Sequence, residues 1–107
     1  MQEEELLLEL KAWRDGEGEP DGLLLSALRQ ALVLLSGRTG LSPLPEALAP
    51  AALELAAGAL NRRGQEGEAV RREGGLSVSF GGLSPETARL IRRYLPAEAG
   101  FPDAPGA

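Results

Sequence analysis

Residues 21–36 read DGLLLSALRQALVLLS, and the spacing within this run decides the fold class. Leu24, Leu28, Ala31, Leu32 and Leu35 recur at three- and four-residue intervals, which places them along one side of an α-helix. Asp21 stands where an N-cap belongs, so the pattern predicts a helix over about 22–36. Ser36-Gly37 closes it, with Gly37 or Gly40 able to take the left-handed conformation that ends a helix. The rest of the chain has the same bias. Of 107 residues, 21 are Leu and 16 are Ala, whereas Val, Ile and Thr together number six. Leu and Ala favour helix and β-branched residues favour strand, so the composition predicts a mainly α protein and excludes a β-sandwich or barrel. A chain of this length holds one small core.

Working outward, Glu3 to Trp13 forms an expected first helix with Leu6, Leu7, Leu10 and Trp13 on its stripe. Glu3, Glu4 and Glu5 sit in its first turn, where carboxylates complement the positive end of the helix dipole. Asp15-Gly16 ends it, and residues 16–22, with three Gly and no apolar side chain, are an expected loop. A third helix runs to about Asn61. Pro45 and Pro50 both fit a first turn, and a start at Pro45 would leave Pro50 to kink the helix. Its inner face is Leu48, Ala52, Leu55, Ala56, Ala59 and Leu60, and Gly58 in mid-helix suggests close packing there. Leu76-Ser77-Val78-Ser79-Phe80 alternates with a period of two, as a short strand does when one face is buried. Such a strand needs a partner for its backbone, either residues 66–72 in a ragged hairpin or a neighbouring copy. Ser84, Pro85 and Glu86 then start a fourth helix as N-cap, first residue and first-turn acid. Ala88, Ile91 and Leu95 share its inner face, and Pro96 stops it. Residues 1–95 thus form one helical domain, and residues 96–107, rich in Pro and Gly, form an extended arm.

The charge is polarised. The net charge is −5, but residues 1–60 carry −6 and residues 61–95 carry +3. A chain of this kind suits head-to-tail contact with copies of itself, with Arg pairs meeting a neighbour's acidic half. The absence of Cys and His removes thiolate nucleophiles, disulfides, the commonest general base and the commonest metal ligands. Asp15, Glu17 and Glu19 resemble a calcium loop only superficially, because Pro20 and Ser26 stand where Gly and Glu are required. The sequence therefore reads as a non-enzyme with no cofactor and no metal. Glu3-Glu4-Glu5 is unlike the basic start of a signal peptide, and no apolar run reaches the length of a membrane span. Ten Arg against one Lys, one Asn and eight Pro suggest a GC-rich or heat-adapted source. Arg62-Arg63, Arg71-Arg72 and Arg92-Arg93 could also meet phosphates, which leaves a small DNA-binding or DNA-packaging accessory protein as an alternative.

The run Leu60-Asn61-Arg62-Arg63-Gly64-Gln65-Glu66-Gly67-Glu68, followed by Glu73-Gly74-Gly75-Leu76-Ser77-Val78-Ser79-Phe80, resembles the tailed-bacteriophage head–tail connector (adaptor) family. In that family a helix ending in Tyr-Asn-Arg-Arg leads through a Gly/Glu loop to a Gly-Gly-x-Ser-x-Ser-Phe-like segment. A Leu-Pro helix start ending in Tyr follows. Leu83-Ser84-Pro85 and Arg92-Arg93-Tyr94 occupy those last places, with Ser84 inserted, and Ala59-Leu60 stands where the family often has Leu-Tyr. The resemblance implies a four-helix adaptor subunit of a homo-oligomeric ring, typically a dodecamer, beneath the capsid portal. The ring joins the portal protein to the stopper or tail-completion protein and extends the channel through which double-stranded DNA passes without sequence recognition. It would reside in the virion at the head–tail interface, and in the host cytoplasm during assembly. The expected subunit and portal contacts are Arg62, Arg63, Arg71, Arg72, Leu76, Val78 and Phe80. The acidic loop of Asp15, Glu17, Glu19 and Asp21 is a candidate lining for the channel.

Overall fold

The computed structural model describes residues 2–63 and 78–96, and it is mainly helical. Four α-helices follow in order: α1 (Glu3–Trp13), α2 (Asp21–Thr39), α3 (Ala49–Arg63) and α4 (Pro85–Arg92), with a 3-10 turn at Glu46–Leu48 leading into α3. Two ion pairs set the direction of the first hairpin. Arg29 meets Glu3 at 3.1 Å and Lys11 meets Asp21 at 3.3 Å, so α2 runs back along α1. At its far end α1 delivers Arg14 to Ala57 and Asn61 near the end of α3, which makes α1 and α3 run the same way. The result is an up–down–up layer of three helices, with α4 laid on α3.

The core lies between these helices and is made almost wholly of Leu and Ala. Leu10, Leu28, Leu35, Leu48 and Ile91 are its fully enclosed large side chains, together with Leu53 and Leu55 of α3. Around them Ala27, Ala31, Ala51, Ala52, Ala56 and Ala59 have no exposed surface at all. Small side chains on α3 allow its neighbours to approach closely, and interaxial distance depends on the residues at the contact.

Several boundaries differ from the expected ones. α2 begins at Asp21, not after it. Pro20 is the N-cap, makes no side-chain capping bond, and accepts from the backbone N–H groups of Leu23 and Leu24. Asp21 is thereby released to pair with Lys11. The helix also runs two residues past Gly37, to Thr39. Buried Thr39 donates its hydroxyl to the Leu35 carbonyl at 2.7 Å and accepts from the Leu41 N–H, and Gly40 ends the helix at φ 74° with its N–H on Ser36. That φ is the left-handed conformation in which a Cβ is costly, so Gly37 is left as an ordinary exposed helix residue. Pro45 and Pro50 each serve at a start. Pro45 precedes the 3-10 turn and accepts from Leu48, and Pro50 lies in the first turn of α3, where a missing N–H costs nothing.

Three packing expectations are also corrected. Trp13 is in phase with Leu6 but is 52% exposed, because it occupies the last position of α1 where the chain turns away. Gly58 meets no neighbouring backbone; the nearest atom to an added Cβ is the Arg62 guanidinium at 3.4 Å. α4 stops at Arg92, and Thr87 is buried beside Ile91 while Ala88 and Leu95 are only partly covered. Residues 78–80 are not a strand either: Val78 and Ser79 have no regular structure and Phe80 lies in a bend. Residues 76 and 77, the hairpin expected over 66–72, and residues 97–107 of the arm lie outside the described residues.

Two substitutions check this account. Gly58→Ala should stabilise the protein by roughly 0.5–1 kcal/mol, since it adds helix propensity against a movable side chain. Leu28→Ala should destabilise it by about 2–5 kcal/mol through a cavity in the three-helix layer. Thermal and urea unfolding followed by circular dichroism measures both. Loss of stability in Gly58→Ala would show that a neighbouring backbone packs there.

Candidate functional site

Some of the expected site residues, Glu19, Asp21 and Phe80 among them, fall at joints between helices. The first joint is centred on Arg14, just after α1. Its Nε donates to Glu19 Oε1 at 2.5 Å and its Nη2 donates to Oε2 at 2.8 Å, a two-pronged pair. The remaining prong, Nη1, donates to Asn61 Oδ1 at 2.8 Å and reaches the Ala57 carbonyl at 3.5 Å. Both side chains of the pair are largely covered, with 9% of Arg14 and 17% of Glu19 exposed. The hydrogen bonds to Glu19 hold Arg14 above the ordinary guanidinium range, outweighing burial, and the charges of Glu19 and Glu17 act in the same direction. A planar fork matched to a carboxylate gives direction as well as energy, so Arg14 fixes the loop after α1 to the end of α3.

This joint divides the acidic loop. Of Asp15, Glu17, Glu19 and Asp21, two are occupied within the chain: Glu19 by Arg14 and Asp21 by Lys11. Asp15 and Glu17 are exposed. Among the described residues no group of acidic side chains is arranged to hold a metal ion.

The second joint is the start of α4. Ser84 is the N-cap, and its hydroxyl accepts from the Thr87 N–H at 3.3 Å. Glu54 of α3 reaches the same point. Its carboxylate accepts from the Ser84 N–H at 2.5 Å, from the Ser84 hydroxyl at 3.2 Å and from the Thr87 hydroxyl. A carboxylate at a helix N-terminus meets both the unsatisfied N–H groups and the positive end of the dipole. Glu54 is the one charged residue on α3 before Arg62, set in an otherwise apolar run from Ala51 to Ala59. That isolation was its signal in the sequence.

The third joint is the approach to α4. Phe80 is buried in the chain's own core at 4% exposure, and the Arg38 guanidinium sits 5.4 Å from its ring centroid. The spacing is that of a cation–π contact, worth about 0.5–1 kcal/mol at an accessible site. Val78 is partly covered beside Val33 and Leu34 of α2. Ser79, between them, is exposed. Of the expected interface set, then, Phe80 faces inward and Val78 lies at a surface. Arg62 is partly buried on the last turn of α3 and Arg63 is its final residue. Arg71, Arg72 and Leu76 lie outside the described residues.

Comparison of the chain with protein-family models, curated proteins and solved structures gives no match in any of the three. No helix among the described residues is long and apolar enough to cross a membrane.

Replacing Arg14 should loosen the first joint without dissolving the bundle. Arg14→Ala is expected to cost about 1–3 kcal/mol, the price of leaving a covered Glu19 carboxylate short of its donors. Arg14→Lys should recover only part of that, since an ammonium cannot bridge both carboxylate oxygens and Asn61. Glu54→Ala should instead speed amide hydrogen exchange in α4 selectively. Uniform acceleration across all four helices would show that Glu54 does not act through the α4 start.

Proposed function

We propose that this chain is a non-catalytic structural subunit of a tailed-bacteriophage virion, a head–tail connector (adaptor) that assembles as a ring between the portal protein and the stopper or tail. The observation that carries this reading is where the connector-like motif falls in the fold. Asn61-Arg62-Arg63 closes α3, with Asn61 gripped by Arg14; Phe80 anchors the return of the chain in the core; Leu83-Ser84-Pro85 starts α4 on Glu54; and Tyr94 follows its end. The residues that resemble the family therefore fix both ends of segment 64–77, the stretch with Arg71, Arg72 and Leu76 that this reading assigns to contact between subunits and with the portal.

The helical architecture supports the same reading. A head-to-tail ring needs subunits with two different, complementary faces, and a polarised chain of four helices supplies them. In the assembled dodecamer the exposed carboxylates of Asp15 and Glu17 would face the channel and repel the DNA backbone, while Glu19 and Asp21 serve the fold.

Purified chain mixed with purified portal and viewed by negative-stain microscopy should add a ring of density to one end of the portal. Portal particles that stay unchanged at saturating chain would overturn the assignment. In phage carrying Asp15→Asn and Glu17→Gln together, genome ejection should slow; ejection at the parental rate would reject the placement of this loop in the channel. Retention of duplex DNA by the isolated chain at low ionic strength, falling steeply with salt, would favour the DNA-accessory alternative acting through the pairs Arg62-Arg63, Arg71-Arg72 and Arg92-Arg93.

A further inference from the structure

α1, α2 and α3 are tied to one another by polar contacts that leave α4 out. Glu3 with Arg29 and Lys11 with Asp21 join α1 to α2. Arg14, held by Glu19, joins the end of α1 to Asn61 and the Ala57 carbonyl of α3. Enclosed leucines fill the same layer: Leu10, Leu28, Leu35, Leu53 and Leu55. α4 is attached differently. It has eight residues, well below the length at which a helix holds together by itself in water. Ile91 is its one fully enclosed large side chain, with Leu90, Tyr94 and Leu95 partly covered nearby. Its start hangs on Glu54, which accepts from the Ser84 N–H and from the Ser84 and Thr87 hydroxyls. Just upstream, Gly81-Gly82 forms an exposed turn between buried Phe80 and the Ser84 cap, and Gly82 takes a φ of 80°.

We infer that α4 is a strap: it leaves α3 as one unit, turning on Gly81-Gly82, while α1, α2 and α3 stay folded. Release breaks the Glu54 contacts and withdraws Ile91, but it breaks none of the ties among the other three helices. The strap opens all together because a helix this short cannot persist on half its support; without the Glu54 cap and Ile91 nothing holds its remaining turns. Elements that move are drawn from the part of a fold that is cheapest to open, and α4 is the helix with the fewest enclosed side chains and no part in the ties of the layer. Once α4 has gone, the Glu54 carboxylate exchanges its protein donors for water, so no polar group is left covered and unsatisfied. Opening carries the exposed guanidiniums of Arg89 and Arg93 away from the layer and bares the side of α3 around Glu54. The inference uses contacts within one chain and does not depend on the connector reading, which can fail at the portal while the strap opens in the chain alone.

Native-state hydrogen exchange of the full chain, read amide by amide, tests this. The hydrogen-bonded amides of α4 should share one protection factor, lower by about tenfold or more than that of the core amides of α2 and α3. Protection that falls away step by step toward Arg92 would be fraying of a helix end, and protection equal to that of the core would mean that α4 opens only with the whole fold; either overturns the inference. Leu28→Ala separates the two openings, since its cavity lies in the layer that stays folded. It should speed exchange in α2 and α3 and leave α4 unchanged, and α4 amides that accelerate in step with the core overturn the inference. A second arm needs no destabilised core. The chain has no cysteine, so Glu54→Cys and Thr87→Cys in one chain can be joined by a short bis-maleimide. Joining should slow exchange in α4 relative to the same double variant left unjoined, and equal rates in the two forms overturn the inference.

Discussion

α3 must pack against α1, α2 and α4 at once, and this constraint governs the rest of the structure. A helix enclosed on three sides cannot carry bulky residues all round, which is why Ala51, Ala52, Ala56 and Ala59 are fully covered while Leu53 and Leu55 fill the spaces between them. The large side chains that meet this surface come from the partners: Leu10 from α1, Leu28 and Leu35 from α2, Ile91 from α4. The division of labour explains how a chain with few aromatic residues closes a core. Fully buried Ala and Leu take the place of large aromatic side chains, and close packing gives each small contact its dispersion energy.

An interior of Leu and Ala is well packed but weakly directional, since one aliphatic arrangement can slide into another at little cost. Direction comes from a few polar fixtures at the joints. Arg14 sets the end of α1 against the end of α3, Glu54 sets the start of α4 against the middle of α3, and Thr39 with Gly40 sets where α2 stops. Each joins elements distant in sequence or terminates one, and each satisfies groups that would otherwise be covered without partners. Among the described residues no buried side-chain nitrogen or oxygen lacks a hydrogen-bond partner.

The helices were legible in the sequence because periodicity and capping residues are local. The spacing of Leu24, Leu28, Ala31 and Leu35 locates α2, and Ser84-Pro85-Glu86 locates the start of α4 to the residue. What escaped was set by contact with other parts of the chain. Asp21 loses the capping role to Pro20 and pairs with a lysine on the preceding helix. Trp13 has the phase of a core residue but lies where the bundle has ended. Val78, Ser79 and Phe80 alternate as in a strand, yet residues 78–80 have no regular structure and Phe80 alone of the three is buried. The site was legible at one level less. The acidic loop stood out by composition, but the covering of Glu19 by Arg14 and the exposed pairing of Asp21 with Lys11 depend on partners five and ten residues away. Asn61 and Glu54 are single polar residues whose purposes depend on elements far along the chain.

The half-exposed position of Trp13 has a practical side. The chain contains one indole, and it sits beside the Arg14 joint, outside the hydrophobic interior. Its ring is therefore already partly hydrated in the folded chain. The same fluorophore is well placed to register anything that settles on the rim formed by the end of α1 and the acidic loop. The molecule's one indole thus stands at a boundary of the fold, where it can act as a sentinel of docking.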